Sequence, residues 1–517
     1  MNRPGKTGIL PARRLPATIR RTAVLIGVCA ALAGCSADGS AAEGRPVYPA
    51  AQLNERVPEL MRRYDIPGAA VALIQNGEMT WSGAYGYADR KAGRAMNVDA
   101  VVRAESISKS LSAWGIMTLV ERDLVELDEP VQSYLTSLDL PQPPGGAPAP
   151  TVRQVLSNSG GFGQGTVGPA AEYAPGEARP SAAEYLAAEA AFVQAPGSGF
   201  IYSNTGFNLL DVLVQDVTGQ SFAEYMQSEV LEPLGMKNAD YSWRPEFAER
   251  VPLGYEMDGT PVPPYVYAAG ASGGLLASVE DLARFVQAGM AASRPHSGSE
   301  NKPDLLDRTA VAALYEPLVP IPGMFGLVAD GYGFGHFVET LPDGRRAVWH
   351  GGQGHGWMTH FHSVPESGEA IVIVTNSQRS WPFMAALLGD WATGADLGSV
   401  KFSRITRATR AAWIIVALLA GTAVLRLWQL GVGLLRGRRR VAAPRGARVG
   451  RRLLQLAGAA AIVGVILWRA SLPYVFEVSI LPTVIPWAVA ALMALAAALL
   501  LGALTPPRDR PAGVAHP

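Results

Sequence analysis

Three short stretches of this 517-residue chain carry residue types suited to acyl transfer. In the first, Ser106 and Lys109 lie three residues apart, so a helix would place both side chains on one face. A lysine shielded from water loses its proton more readily, and the neutral amine can then accept the proton of a nearby serine hydroxyl. Alone, the pair is equally compatible with a helix-capping serine beside a solvated lysine.

The second stretch, Tyr202–Asn204, offers a phenol and a carboxamide. From an extended loop, Tyr202 and Asn204 would face the same cleft, because alternate residues share a side. A phenol beside an ammonium group can relay protons between nucleophile and leaving group, and Asn204 can hold a substrate amide. A tyrosine that only packs its ring is the alternative.

The third stretch consists of His350, Gly351 and Gly352, at the end of a predicted strand. Two adjacent glycines allow a substrate to approach the backbone closely. The backbone amide of Gln353, together with that of Ser106, could donate to an oxyanion. The imidazole of His350 is predicted either to polarise the site or to bind a substrate carboxylate.

Metal binding is a weaker interpretation of this region. His355, His360 and His362 follow the third stretch, but their spacing fits no standard zinc pattern. Both cysteines, Cys29 and Cys35, lie near the N-terminus, so the main domain has no disulfide and no thiolate metal site. No metal or other cofactor is therefore expected.

The order and spacing of the three stretches resemble the serine β-lactamase and penicillin-binding-protein-like superfamily. Within it, the chain is similar to the group of class C β-lactamases, D-aminopeptidases and family VIII esterases. Further similar stretches lie at 151–161, 233–236 and 271–275. The resemblance covers about residues 50–380, while the C-terminal part of the chain lies outside it.

The resemblance implies roles for the residues singled out above. Ser106 would be the acylated nucleophile and Lys109 its activator, while Tyr202 would share the base role and protonate the leaving group. Asn204 would hold the substrate amide, and the amides of Ser106 and Gln353 would form the oxyanion hole. The implied fold is α+β: an antiparallel sheet flanked by helices, plus a helical subdomain, with the third stretch on the edge strand of the sheet.

Two residues depart from the expected pattern. True β-lactamases and many transpeptidases of the superfamily have Lys-Thr-Gly where this chain has His350-Gly351-Gly352. A neutral or half-charged histidine binds a penicillin carboxylate less firmly than a lysine, which favours esters or D-amino-acid peptides as substrates. Glu105, just before the nucleophile, could either pair with a lysine or repel an acidic substrate.

The N-terminal residues 1–35 are predicted to be a secretory signal. A basic region precedes an apolar core, Thr22–Leu32, that is too short to span a bilayer. Leu32-Ala33-Gly34-Cys35 resembles a bacterial lipobox, which implies lipidation of Cys35; an ordinary signal peptide with an incidental cysteine is the alternative. Residues 36–50 are small and polar, as in a flexible tether.

A soluble domain is predicted at 51–395. Within it, we expect a helix from Leu53 to Tyr64, then strands at 68–75 and 78–87 joined by an Asn76-Gly77 turn. Three further strands are expected at 347–349, 357–364 and 370–376. A linker at 396–410 then leads to three predicted transmembrane helices at 411–435, 453–468 and 480–504. The middle segment is short, and a buried or interfacial helix is its alternative.

Charge predicts the orientation. Residues 436–452 carry eight arginines and no acid, which places this loop in the cytoplasm and the domain outside it, with the C-terminus cytoplasmic. Outside 1–34 and 436–452, the chain has 30 basic and 44 acidic residues. That acidic balance argues against a nucleic-acid partner.

The sequence thus predicts a serine hydrolase of a bacterial cell membrane, multi-pass and lipid-anchored, with its catalytic domain on the extracytoplasmic side. Its substrate would be a small ester, a D-amino-acid amide or peptide, or a cell-wall fragment. A β-lactamase is one alternative. A sensor that is acylated by a ligand and signals through its membrane helices is another, and a family member that only binds is a third.

Overall fold

The computed structural model of the chain describes residues 50–293, 305–323, 325–441, 449–471 and 479–508. The predicted signal at 1–35, with Cys35, and the tether up to residue 49 lie outside these ranges. The described residues form an α+β domain followed by three long apolar helices. The predicted fold class is confirmed.

A nine-stranded sheet is the centre of the domain, with all neighbouring strands antiparallel. In space its order is β3-β2-β1-β13-β12-β11-β10-β9-β8. Two small sheets pair β4 with β7 and β5 with β6. The strands are β1 Gly68–Gln75, β2 Glu78–Asp89, β3 Arg94–Ala95, β4 Val102–Arg103, β5 Gly254–Tyr255, β6 Pro261–Val262, β7 Leu276–Ala277, β8 Val319–Pro320, β9 Gly331–Tyr332, β10 Phe337–Thr340, β11 Arg346–Gln353, β12 Met358–Val364 and β13 Glu369–Thr375.

Helices cover both faces of this sheet. The α-helices of the domain are α1 Ala50–Tyr64, α2 Ser108–Glu121, α3 Val152–Leu156, α4 Ala182–Glu189, α5 Asn204–Thr218, α6 Phe222–Met226, α7 Val279–Ser293, α8 Arg308–Leu314 and α9 Trp381–Gly394. The three C-terminal helices are α10 Arg404–Leu435, α11 Val449–Ala470 and α12 Ile485–Leu504. Ser82 of β2 donates to Glu280 of α7, whereas Tyr85 donates to Asn54 of α1. Because side chains alternate along a strand, α7 and α1 lie on opposite faces.

The β1–β2 hairpin shows how local sequence sets the register. All eight residues of β1 are buried, between β2 and β13. Asn76 and Gly77 have φ of 55° and 88°, the left-handed backbone that a two-residue type I′ hairpin turn requires. The predicted hairpin is confirmed. Strands β12 and β13 begin and end within one residue of their predicted bounds, whereas β11 is longer than predicted, because it runs from Arg346 to Gln353 rather than from 347 to 349.

The strand that carries the third stretch is not at the edge of the sheet, so that expectation is wrong. β11 lies between β12 and β10. However, β10 pairs only with residues from Arg346 to Trp349, because it is four residues long. From His350 to Gln353, β11 therefore has no strand partner on that side among the described residues. A short neighbour creates a local edge inside the sheet.

The segment after the domain differs from the linker expected at 396–410. Val400 and Phe402 are buried, and α10 already begins at Arg404. The three C-terminal helices contain 32, 22 and 20 residues, and all are long and apolar enough to cross a membrane. The middle helix, Val449–Ala470, is longer than the predicted segment 453–468, because the residues on both sides, including arginines, are also helical. Its length is about 33 Å at 1.5 Å per residue.

Candidate active site

Ser106 lies in a 3₁₀ turn, Glu105–Ile107, that runs directly into α2. Lys109 follows one helical turn later, and its Nζ lies 3.3 Å from Ser106 Oγ. Helix α2 is buried along almost all of its length, so Lys109 is fully shielded from solvent while Ser106 remains partly exposed. The predicted stacking of serine over lysine is present.

The three polar contacts of Lys109 can be made by an ammonium or by a neutral amine. Its Nζ donates to Asn204 Oδ1 at 2.7 Å and to the backbone oxygen of Ser272 at 2.8 Å. A neutral amine has two N–H groups and one lone pair, so those two bonds leave the lone pair for the hydroxyl of Ser106. Burial lowers the pKa of Lys109 from its usual value to about 7, although the carboxylate of Glu105 opposes the change.

Tyr202 and Asn204 both reach Lys109. The Tyr202 ring centre lies 4.8 Å from Nζ, and the ring stacks with Phe325 and Phe337. Between them, Ser203 caps helix α5 by accepting the N–H of Gly206. The pair therefore faces one cleft as expected, but Asn204 is the first residue of a helix rather than part of an extended loop.

The backbone amide of Gln353 lies on the uncovered edge of β11. Gly354 N–H donates to Trp357 O across the β11–β12 hairpin. Because antiparallel ladders alternate, the N–H of Gln353 is directed away from β12, to the side that β10 leaves open. A side chain at Gly352 would place its Cβ only 2.3 Å from the backbone oxygen of Ala104, so this strand lies directly against the nucleophile turn. Only glycine allows that approach.

His350 is placed beneath the site rather than in it. Its side chain is fully buried; Nδ1 donates to Gly351 O at 2.9 Å, and Nε2 accepts from the hydroxyl of Tyr332 at 3.1 Å. Burial, with help from nearby Lys109, holds the pKa of His350 well below its usual range. The ring is therefore neutral, and the expected contact with a substrate carboxylate is not supported by this geometry.

Glu105 resolves the question that the sequence left open. Its carboxylate neither meets a lysine nor faces a substrate: it is buried and forms an ion pair with Arg103 at 2.8 Å. Tyr265 and Tyr267 donate their hydroxyls to the same carboxylate, at 3.0 and 2.9 Å. Glu105 also has φ of 50°, a backbone strain that these contacts hold in place directly before the nucleophile.

Sequence reasoning missed several groups that hold the catalytic residues. Ser272 supplies the backbone oxygen for Lys109, and its neighbour Leu275 donates its N–H to Ser108 on α2. Both belong to the stretch 271–275, which was noted as similar to the superfamily but had no assigned role. Tyr265 and Tyr267 carried a weak signal, since two tyrosines two residues apart share one face of an extended segment.

The histidines after the third stretch have protein partners. His355 lies 2.9 Å from both Glu172 and Glu256, and nearby carboxylates raise its pKa despite partial burial. His362 lies 3.2 Å from Glu339. Among the described residues, no group of three or more histidine, cysteine or acidic side chains could hold a metal ion.

Comparison with known proteins places this geometry in a family. The family model described as Beta-lactamase matches residues 53–392. The D-aminopeptidase of Gluconobacter oxydans is 27% identical, over 66% of this chain and 62% of its own length. The esterase EstB of Burkholderia gladioli is 26% identical, over 63% of this chain and 90% of its own length.

Solved structures agree on the fold. The octameric penicillin-binding protein homologue from Pyrococcus abyssi aligns with a TM-score of 0.55 and 24% identity, covering 70% of this chain and 81% of that one. The match to the D-aminopeptidase spans about three fifths of that relative, and the three C-terminal helices lie beyond the matched family region. The chain belongs to the β-lactamase family and is a serine hydrolase.

Proposed function

We propose that this protein hydrolyses esters or D-amino-acid amides through an acyl-enzyme on Ser106. The observation that carries the proposal is the buried Lys109 amine, 3.3 Å from Ser106 Oγ, with its two other hydrogen bonds used on Asn204 and Ser272. With a pKa of about 7, a large share of this amine is neutral at physiological pH and can act as a base.

In the acylation step, Ser106 Oγ bonds to the substrate carbonyl carbon while its proton passes to Lys109 Nζ. The carbonyl oxygen becomes an oxyanion that the amides of Ser106 and Gln353 stabilise. As the intermediate collapses, the bond to the leaving group breaks and the leaving group takes up a proton through Tyr202. Water then attacks the acyl carbon while Lys109 takes up its proton. The bond from the acyl carbon to Ser106 Oγ breaks, Oγ takes the proton back from Lys109, and the acid is released.

The substrate preference follows from the third stretch. The neutral, buried His350 supplies no positive charge, so a substrate that depends on a carboxylate contact here binds weakly. Relatives named D-aminopeptidase and esterase fit this preference. We assign Asn204 to the substrate amide, and its 2.7 Å bond to Lys109 supports this role because it holds the carboxamide beside the proposed base.

We further propose that the enzyme is anchored in a bacterial membrane, with the domain outside the cytoplasm and the C-terminus inside. The arginine-rich loop 436–452 and the signal-like residues 1–35 support this orientation independently. Lipidation of Cys35 would add a second anchor. Replacing Cys35 with serine should then abolish incorporation of a radiolabelled fatty acid, and unchanged labelling would exclude the lipid anchor.

The test of the hydrolase uses full-length protein in detergent with three substrates: a chromogenic short-chain ester, a D-alanyl anilide and a chromogenic cephalosporin. Steady turnover of the ester or anilide, lost in Ser106→Ala, is expected. Ser110→Ala, which alters a serine one turn away that donates to Gly335, is the matched control and should retain turnover.

Other outcomes distinguish the alternatives. One stoichiometric burst without turnover would favour an acylated sensor. Turnover of the cephalosporin at a rate above that of the ester would favour a β-lactamase. If none of the three substrates labels the protein or is turned over, the remaining interpretation is a protein that only binds.

A further inference from the structure

The segment that leads into the third apolar helix is docked on the strand of the oxyanion hole. Ser479 Oγ accepts from Gln353 Nε2 at 2.9 Å and donates to Gln353 Oε1 at 3.1 Å. The same Oε1 accepts from Trp381 Nε1 at 2.7 Å. Ser479 is 4% exposed, and Ile480 packs against the core of the domain. The side chain of Gln353 lies on the α9 face of β11, opposite the face that Gly352 presents to Ala104, and it is tied there to the segment before the third apolar helix.

The first apolar helix is attached to the same strand. Phe402, two residues before α10, packs on Trp349 of β11, with ring centres 5.4 Å apart, and on His360 of β12 at 4.6 Å. Next to it, the N–H of Lys401 donates to Glu339 Oε2. Helices α10 and α12 in turn pack together through Val416, Val484 and Ala491. Two attachments along β11 to one helix bundle fix the direction in which the domain faces.

Three exposed tryptophans lie towards the domain-side ends of the apolar helices, and a fourth, Trp428, lies towards the other end of α10. Trp413 near the start of α10, Trp468 near the end of α11 and Trp487 near the start of α12 are 38%, 60% and 63% exposed. All three are at the helix ends nearest the domain, where an interfacial aromatic belt is expected. Ser479 lies eight residues before Trp487. That path measures about 12 Å if helical and at most about 28 Å if extended.

We propose that the catalytic cleft lies against the membrane surface and that its substrate is an ester or amide carried on a membrane-inserted amphiphile. This inference rests on the proposed hydrolase function. The site is then reached by groups held close to the lipid headgroups, whereas a site on the far side of the domain would require a long tether. In this arrangement, the contact between Ser479 and Gln353 holds the cleft close to the lipid headgroups.

The first test measures the distance between Ser106 and the membrane surface. Full-length protein in vesicles is labelled at Ser106 with a fluorescent fluorophosphonate, and energy transfer to a headgroup-labelled lipid is recorded. Strong transfer is expected. Failure of the fluorophosphonate to label wild type, with Ser106→Ala as the blank, would overturn the hydrolase proposal. Labelling without energy transfer would overturn the position of the site alone.

The second test measures reach. One ester group is attached to a lipid through a spacer of about three residues, about 10 Å extended, or of about twenty residues, about 70 Å. Cleavage of the short-spacer lipid at a rate at least equal to that of the long-spacer lipid is expected. A short-spacer lipid that is spared, while a soluble ester is cleaved, would refute the proposal.

Variants of the docking contact complete the test. Ser479→Arg inserts a long side chain into a closed contact, whereas Ser471→Arg changes an exposed serine at the other end of the same inter-helix segment. The ratio of short-spacer to soluble-ester rates should fall about fivefold or more in Ser479→Arg, comparable to the loss of one buried hydrogen bond. It should stay unchanged in Ser471→Arg; equal ratios in both variants would contradict the role of the docking contact.

Discussion

The buried ion pair between Arg103 and Glu105 offers the sharpest prediction about the nucleophile. Glu105→Gln keeps the size of the side chain but removes the charge that Arg103, 1% exposed, relies on. An arginine left buried without its counter-charge costs about 3–5 kcal/mol. With an unfolding entropy of about 0.7 kcal/mol per degree for a domain of this size, the melting temperature should fall by about 4–7 °C.

The same substitution should change the pH profile. Burial lowers the pKa of Lys109 to about 7, and the carboxylate of Glu105 partly offsets this lowering. In the proposed mechanism, Lys109 acts as a base only when it is neutral, so activity is expected to rise with pH through this pKa and to be lost below it. At pH 6, about one tenth of the wild-type amine is neutral, and a downward shift of about half a unit would more than double that fraction. The acidic limb of Glu105→Gln should therefore move to lower pH.

The assay is kcat/KM for a soluble ester between pH 5 and 9, where the ester itself does not titrate, together with a thermal melt. Asp281→Asn is the matched control, because Asp281 is also a fully buried carboxylate paired with an arginine, Arg284, but it does not act on Lys109. Asp281→Asn should lower the melting temperature, while the acidic limb of its pH profile should stay at the wild-type position. If the acidic limb of the Glu105→Gln pH profile stays at the wild-type position or moves to higher pH, the electrostatic link between Glu105 and Lys109 is refuted.

Two further predictions concern the cleft. Tyr202→Phe keeps the ring stacked on Phe325 and Phe337 but removes the hydroxyl, so kcat should fall about 10²–10⁴-fold with the melting temperature nearly unchanged; equal kcat would remove Tyr202 from proton transfer. Gly352→Ala places a Cβ 2.3 Å from Ala104 O and should lower kcat by displacing the oxyanion strand, whereas Gly160→Ala, whose nearest contact is 3.5 Å, should behave as wild type. Comparable kcat values for these two glycine variants would show that the close approach of β11 is not needed.

Much of the fold could be predicted because it depends on local patterns. The Asn76-Gly77 turn, the alternation of the strands and the length of the apolar helices each depend on residues close in sequence. The pairing of Ser106 with Lys109 was equally accessible, since one helical turn connects them. Predictions failed where a contact joins distant residues: the resemblance implied that β11 lies at the edge of the sheet, but β10 pairs with its first half, and nothing in β11 itself signals that partner.

The site shows the same division. The order of Ser106, Lys109, Tyr202 and Asn204 could be read from the sequence, and it predicted the reaction class. Only the tertiary structure decided that Lys109 is dehydrated, because its burial and its bond to Ser272 depend on a segment 163 residues away. The same packing buries His350 and keeps its ring neutral.

The tertiary structure also joined Gln353 to Ser479 across 126 residues. Burial and long-range hydrogen bonds depend on which segments meet in space, and the residues on either side of such a contact do not specify its partner. The proposed chemistry could therefore be inferred from residue types, whereas the electrostatic environment of Lys109 and the contact between Gln353 and Ser479 were set by packing.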